Sequence, residues 1–270
     1  MAVMDIRIFS KILNRLVTFK AIIPGDELDF QKQLYSNEFK RDVKTLYLLH
    51  GSEGDCSDYL YKTNILQLAT QMNLAVIMPS GENSWYVNKE QDTARFKTFI
   101  GTELVDYVQS TFSLSTKKED NFIGGHSMGG YGALCIGLTY PERFSKIFGM
   151  SPALVINDIT SKGTLRTNEE LKGFHYIFDS LDGLRDTNKN PENLIQSNML
   201  YAIPQPKVFI CCGKDDFLIE MNRDFEKVLK KSDIDYIYKE TEGIHDWNYW
   251  SKWLEPSLKW LLDIEDVCEK

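Results

Sequence analysis

Residues 121–132 read NFIGGHSMGGYG. The apolar start, Phe122 and Ile123, runs into Gly125-His126-Ser127-Met128-Gly129, and Gly130, Gly132, Ala133, Leu134 and Ile136 continue as a small-residue helix. A strand, a sharp turn and a helix with serine at the apex make the G-x-S-x-G nucleophile elbow, whose strained backbone lifts the serine Oγ above the sheet. Glycine two residues before and after the serine leaves room where a Cβ would strike the neighbouring strand or helix. The helix starts at Ser127, so its unpaired N–H groups and positive dipole end face any oxyanion formed there. A plain glycine-rich turn shares the five-letter pattern; the strand before it and the helix behind it favour the elbow.

Upstream of the elbow, VMDIRIFS (3–10) and RLVTFKAIIP (15–24) read as two strands halted at Pro24-Gly25. VKTLYLLHG (43–51) is a nearly continuous apolar run, as expected of a strand covered on both faces. Tyr61, Ile65, Leu68, Ala69 and Met72 recur at helical spacing, and LAVIMP (74–79) is another buried strand, followed by the loop SGENSWYVNKE. Ile100, Leu104, Tyr107 and Val108 mark the next helix face. Downstream, the elbow helix is apolar all round as far as Tyr140-Pro141, which suits a buried central helix. KIFGMSPA (146–153), VFICCG (208–213) and IDYIYKE (234–240) continue the sheet. Phe225, Val228 and Leu229 give a helix, and Trp250, Trp253, Leu254 and Leu258 share one face of the last. Residues 154–206, rich in Asn, Asp, Thr and Gly, hold short amphipathic pieces and no long strand, which predicts a cap inserted over the sheet. Strands alternating with helices predict an α/β fold, a mostly parallel, doubly wound sheet with helices on both faces.

The length of 270 residues fits a single domain spanning 1–270. A net charge of −8 without a basic block predicts no nucleic-acid partner. Asp5, Arg7, Lys11 and Arg15 interrupt the apolar residues of the N-terminus, so it lacks a signal-peptide core, and no later run is long enough for a membrane. The five cysteines (Cys56, Cys135, Cys211, Cys212, Cys268) are an odd number without framework spacing, which suits reduced thiols and a cytoplasmic location. The four histidines lack metal-ligand spacing, and neither G-K-S/T nor G-x-G-x-x-G occurs, so neither a metal nor another cofactor is expected.

A serine hydroxyl needs a histidine to take its proton and a carboxylate to fix that histidine's tautomer. His126 is the elbow neighbour, facing away from Ser127, and His50 precedes the elbow. With the chain order Ser, acid, His, the choice falls between His175 and His245. His175 lies before the strand that should deliver the acid, whereas His245 follows the last strand, at the carboxyl edge where open α/β sheets keep their sites. His245 is the expected base. The acid should follow VFICCG, where Asp215 and Asp216 are both available. Two backbone N–H groups must face the oxyanion; we assign them to Met128, after the nucleophile, and Ser52, in the His50-Gly51-Ser52 loop. Trp85 and Trp247 lie on loops facing the same cleft and are candidates for its walls. Cys56 has no G-x-C-x-G context and no nearby positive charge, so a thiol nucleophile is disfavoured.

LLHG, NSWY, GHSMGGYGAL, CGKDDFL and GIHDWNYW together resemble the esterase D-like branch of the α/β-hydrolases, above all the bacterial tributyrin esterases. The resemblance spans nearly the whole chain and implies the α/β-hydrolase fold and cofactor-free hydrolysis of small, short-chain acyl esters. It matches Ser127 to the nucleophile, Asp216 to the acid, His245 to the base and Ser52 to the oxyanion residue. Relatives act on formylglutathione thioesters, feruloyl esters or acetylated sugars, and those activities are the alternatives; a non-catalytic binding protein of the same fold is a further one. Ser52-Glu53 replaces the larger apolar residue common after the HG pair, and Cys56 is not at the offset of the cysteine that formylglutathione hydrolases keep. The resemblance is compatible with a homo-oligomer, though no interface is legible in these residues.

Overall fold

The computed structural model describes residues 1–25, 28–35, 37–89 and 93–264, the side chain of Gln31 excepted; Glu90 of the loop after LAVIMP and Cys268 lie outside them. Strands β1 (Ala2–Ser10), β2 (Arg15–Ile23), β3 (Lys44–Leu49), β4 (Leu74–Pro79), β5 (Asn121–His126), β6 (Lys146–Met150), β7 (Lys207–Gly213) and β8 (Tyr236–Thr241) form one sheet. Their order is β1-β2-β4-β3-β5-β6-β7-β8. β1 pairs with β2 and β2 with β4 antiparallel, and every pairing from β4 to β8 is parallel. This is the mostly parallel sheet expected from the alternation of strands and helices.

The helices are α1 (Asp29–Leu34), α2 (Asp58–Lys62), α3 (Ile65–Gln71), α4 (Phe96–Thr98), α5 (Val105–Phe112), α6 (Met128–Thr139), α7 (Ile156–Ile159), α8 (Asn168–Phe178), α9 (Pro191–Leu200), α10 (Ile219–Leu229) and α11 (Trp247–Leu261). Successive strand residues feed opposite layers: Tyr47, Leu49, Ile123 and Ile147 pack with α6, whereas Leu46, Leu48, Phe122 and Phe148 pack with α3 and α11. That two-sided burial explains why the strands read as continuous apolar runs. Among the described residues, no helix is long and apolar enough to cross a membrane.

Two helices differ from the sequence pattern. The helix expected through Tyr61, Ile65, Leu68, Ala69 and Met72 is broken at Thr63, whose backbone is extended. The Thr63 hydroxyl bonds Tyr59 O at 2.6 Å and accepts from Ile65 N–H, offering the chain a turn in place of a helical ladder. The break leaves Tyr61 81% exposed and gives the buried position to Tyr59. Of the face marked by Ile100, Leu104, Tyr107 and Val108, Tyr107 is only partly buried and the other three are buried, and a π-helical stretch, Phe99–Leu104, joins α4 to α5. Gly101 lies there against the ring of Tyr140, where an added Cβ would come within 2.3 Å of it.

Residues 154–206 contain α7, α8, a 3₁₀ turn at Leu184–Asp186 and α9, and no strand. They are pinned to the sheet's helices by polar contacts. The buried Lys97 donates to Asn188 O at 2.9 Å, Asn198 donates to Leu138 O at 2.9 Å, and the Tyr131 hydroxyl donates to Lys189 O.

Candidate active site

Parallel strands end at one edge of the sheet, and four of them deliver the site. β5 ends at His126 and turns through Ser127 into α6, with Ser127 at φ 52 and ψ −121. A left-handed φ at a non-glycine residue costs about 1–3 kcal/mol and persists only where the surroundings enforce it. Here Ser127 N–H donates to Met150 O at 2.9 Å, and Ser127 O accepts from Tyr131 N–H and Ala153 N–H. The flanking glycines make the turn feasible: a Cβ on Gly125 would sit 2.5 Å from Leu49 O, and one on Gly129 would sit 2.2 Å from the same oxygen.

β7 delivers Asp216 and β8 delivers His245. His245 Nε2 is 2.9 Å from Ser127 Oγ, and His245 Nδ1 is 2.9 Å from Asp216 Oδ2. The second carboxylate oxygen of Asp216 accepts from Leu218 N–H at 2.8 Å. Asp216 is 1% exposed. Burial alone would raise its pKa, but hydrogen bonds from His245, Leu218 N–H and Ser151, with the imidazole beside it, together hold it below the usual aspartate range. Asp215 is exposed, and of the two adjacent acids it is Asp216 whose carboxylate meets His245. His175 lies in α8 and has no part in this row.

Ser52 follows β3 and lines the same cleft. Gly51 N–H is taken by His126 Nε2 at 3.2 Å and Glu53 N–H by Asn83 Oδ1 at 2.8 Å. Among the described residues, the N–H groups of Ser52 and Met128 have no protein acceptor. The two donors singled out in the sequence therefore keep their hydrogens unspent. His126 is neutral, because burial drives its pKa well down, with His50, His245 and Lys62 adding to the effect. Its Nδ1–H donates to the Tyr59 hydroxyl at 2.8 Å, and its ring packs on Trp247 and Trp250, 4.5 and 4.3 Å between centroids.

The cleft has a volume of about 630 Å³, ordinary for a small-molecule site. Trp85 and Trp247 both line it. Trp85 is buried against Tyr131, Phe174 and Phe178, and both it and Tyr86 have positive φ. Arg166, Phe174 and Phe217 also line the cleft, and sequence reasoning missed all three. Arg166 and Phe174 come from the 154–206 stretch, where no motif marks them. Phe217 adjoins Asp216 in CGKDDFL, and its ring lies 4.5 Å from that of His245. Cys56 is buried and its thiol pushed up by that burial, the opposite of an activated nucleophile. Among the described residues, no group of three or more His, Cys, Asp or Glu is placed to hold a metal ion.

A family model, Esterase, matches residues 23–261. The chain belongs to the Esterase family. This esterase is 38% identical over 270 residues to an acetyl esterase of Caldicellulosiruptor saccharolyticus, covering 98% of this chain and 100% of that one. It is similar to the solved S-formylglutathione hydrolase of Staphylococcus aureus at 30% identity and a TM-score of 0.80, over 97% of this chain and 98% of that one. Another S. aureus structure, the fluorophosphonate-binding serine hydrolase F, matches at 30% identity and 0.79, over 98% and 99%. The fold is that of the α/β-hydrolases, and this esterase D-like protein is a serine esterase, a carboxylic ester hydrolase.

Proposed function

We propose that Ser127, His245 and Asp216 carry out the hydrolysis and that the ester has a short acyl chain. The observation that carries the reading is the unbroken row from Ser127 Oγ through His245 to the buried Asp216 carboxylate, beside two unspent N–H groups. Ser127 Oγ attacks the ester carbonyl carbon as His245 Nε2 takes its proton. Asp216 holds Nδ1–H and stabilises the imidazolium, while the N–H groups of Ser52 and Met128 receive the oxyanion. The C–O bond to the alcohol breaks, the alcohol leaves with the proton from His245, and water repeats the cycle on the acyl-serine. We take Trp85, backed by three aromatic rings, as the wall of the acyl pocket, which supports acetyl to butyryl groups; the acetyl esterase relative supports the acetyl end of that range. Trp247 and the exposed Phe217 line the same cleft.

We read residues 1–270 as one domain in which 154–206 caps this cleft, a role supported by Arg166 and Phe174 at its wall. The free thiols of Cys56, Cys135, Cys211 and Cys212 support a reducing, cytoplasmic setting. The likeness to an S-formylglutathione hydrolase favours a thioester as the second reading. The test is turnover of p-nitrophenyl acetate, butyrate and octanoate by wild type and Ser127→Ala, with S-formylglutathione as the competing substrate. We expect acetate or butyrate to lead and the variant to be inactive and unlabelled by a fluorophosphonate probe. Equal rates in wild type and variant would refute the assignment, and a strong preference for the thioester would transfer it to the second reading.

A further inference from the structure

His50 is 1% exposed at the end of β3 and stands outside the Ser127–His245–Asp216 row. Its Nε2 accepts from Gly81 N–H at 2.8 Å, which places the ring proton on Nδ1. That Nδ1–H lies 2.7 Å from the carbonyl oxygen of Gly51. Burial lowers the imidazole pKa, so the ring is neutral and the tautomer is set by its partners. The Gly51 carbonyl and the Ser52 N–H are the two ends of one planar trans peptide and point in opposite directions. Whatever holds the carbonyl therefore aims the N–H. Gly54 N–H supports the same carbonyl more loosely, at 3.3 Å, and the Tyr86 hydroxyl donates to the carbonyl of His50 itself at 2.9 Å.

We propose that His50 is a positioning residue for the oxyanion site: its Nδ1–H holds the Gly51 carbonyl back and so directs the Ser52 N–H at the tetrahedral oxygen. The inference rests on the reading of Ser52 as an oxyanion donor. A donor on the carbonyl also polarises the amide and strengthens its N–H. Through Nε2 and Gly81, the same ring ties the oxyanion loop to the loop carrying Trp85, and the Glu53–Asn83 bond makes a second tie between them. One imidazole thus sets the oxyanion donor and the acyl wall at a fixed spacing.

Two conservative variants separate the two bonds of the ring. In His50→Asn the amide reaches about as far as Nδ1 and keeps the donor to Gly51; in His50→Gln it reaches about as far as Nε2 and keeps only the acceptor for Gly81. We expect His50→Asn to stay within about threefold of wild type in kcat. His50→Gln should lose about 10- to 100-fold in kcat at unchanged KM, less than the ~10²–10³ of deleting an oxyanion donor. Binding of a trifluoromethyl ketone, whose hemiketal oxygen occupies the oxyanion site, should weaken in step with kcat. A purely structural role would rank the variants by melting temperature and move kcat and KM together, and that result overturns the proposal. Imidazole ¹⁵N shifts of the folded wild type give a readout free of any variant: a neutral Nε2–H tautomer at His50 overturns it too. Ser52→Pro, which deletes the N–H, keeps the premise separate. Unchanged kcat there sinks the Ser52 reading, whereas a loss there with both His50 variants fully active sinks the His50 inference alone.

Discussion

Replacing Asp216 by Asn changes one atom of the carboxylate and tests the whole site. Its two oxygens have different duties: one accepts from Leu218 N–H at 2.8 Å, the other faces His245 Nδ1 at 2.9 Å. The backbone donor cannot change, so the Asn oxygen must remain on Leu218 and its NH₂ must face the histidine. His245 then adopts the tautomer with the proton on Nε2, and Nε2 can no longer take the proton of Ser127 Oγ, 2.9 Å away. The flipped amide would keep the tautomer but press two donors together at Leu218. The expected loss is about 10⁴-fold in kcat, on the order of 5 kcal/mol of transition-state stabilisation, with KM little changed. Steady-state hydrolysis of p-nitrophenyl acetate measures it, with thermal melts to show that the fold is intact. The exposed neighbour provides the control: Asp215→Asn should stay within about twofold, as a surface change of about 0.5 kcal/mol would. A folded Asp216→Asn enzyme within tenfold of wild type, or a larger loss in Asp215→Asn, would refute the reasoning.

Three other perturbations probe the wall, the buried histidines and the far end of the sheet. Trp85→Leu opens the wall backed by Tyr131, Phe174 and Phe178, and should raise the octanoate-to-acetate ratio of kcat/KM by about tenfold or more; an unchanged ratio would remove Trp85 from the acyl pocket. Burial holds His126 well below, and His50 below, the ordinary value of 6.5, so the unfolded chain binds protons that the native protein refuses. Their contribution to stability is complete above about pH 6.5 and falls as the pH drops towards the native values, at a limit of about 1.4 kcal/mol per pH unit per histidine. Urea melts between pH 7.5 and 5.5 should show that slope, shallower in His126→Gln; a flat profile would contradict it. Lys146 Nζ donates to Trp260 O, Leu261 O and Asp263 at 2.9, 3.1 and 2.6 Å and closes the C-terminus of α11. Lys146→Met should cost about 2 kcal/mol in a denaturant melt and leave kcat unchanged.

The division between what the letters determined and what folding decided follows the range of the interactions. Strand positions, the elbow at Ser127 and the buried helix behind it are local patterns, set by apolar periodicity and by glycines whose missing Cβ atoms the backbone of β3 requires. His245, which the structure sets 2.9 Å from Ser127 Oγ, could also be singled out in the sequence, because chain order and the carboxyl edge of the sheet leave one histidine in place. The placement of Asp216, rather than Asp215, beside His245 was not local. Adjacent residues differ in the direction they face, and that direction is set by a tight turn after β7, in which Asp216 N–H bonds Gly213 O, and by Leu218 N–H meeting the carboxylate. The break at Thr63 rests on one hydroxyl that serves a turn better than a helix, which spacing alone cannot register. Arg166 and Phe174 reach the cleft only because residues 154–206 are bolted to α4 and α6 by Lys97, Tyr131 and Asn198, contacts made across long stretches of chain. His50 and His126 read as spare histidines until tertiary packing showed each accepting a glycine N–H at Nε2, a pairing that burial makes obligatory.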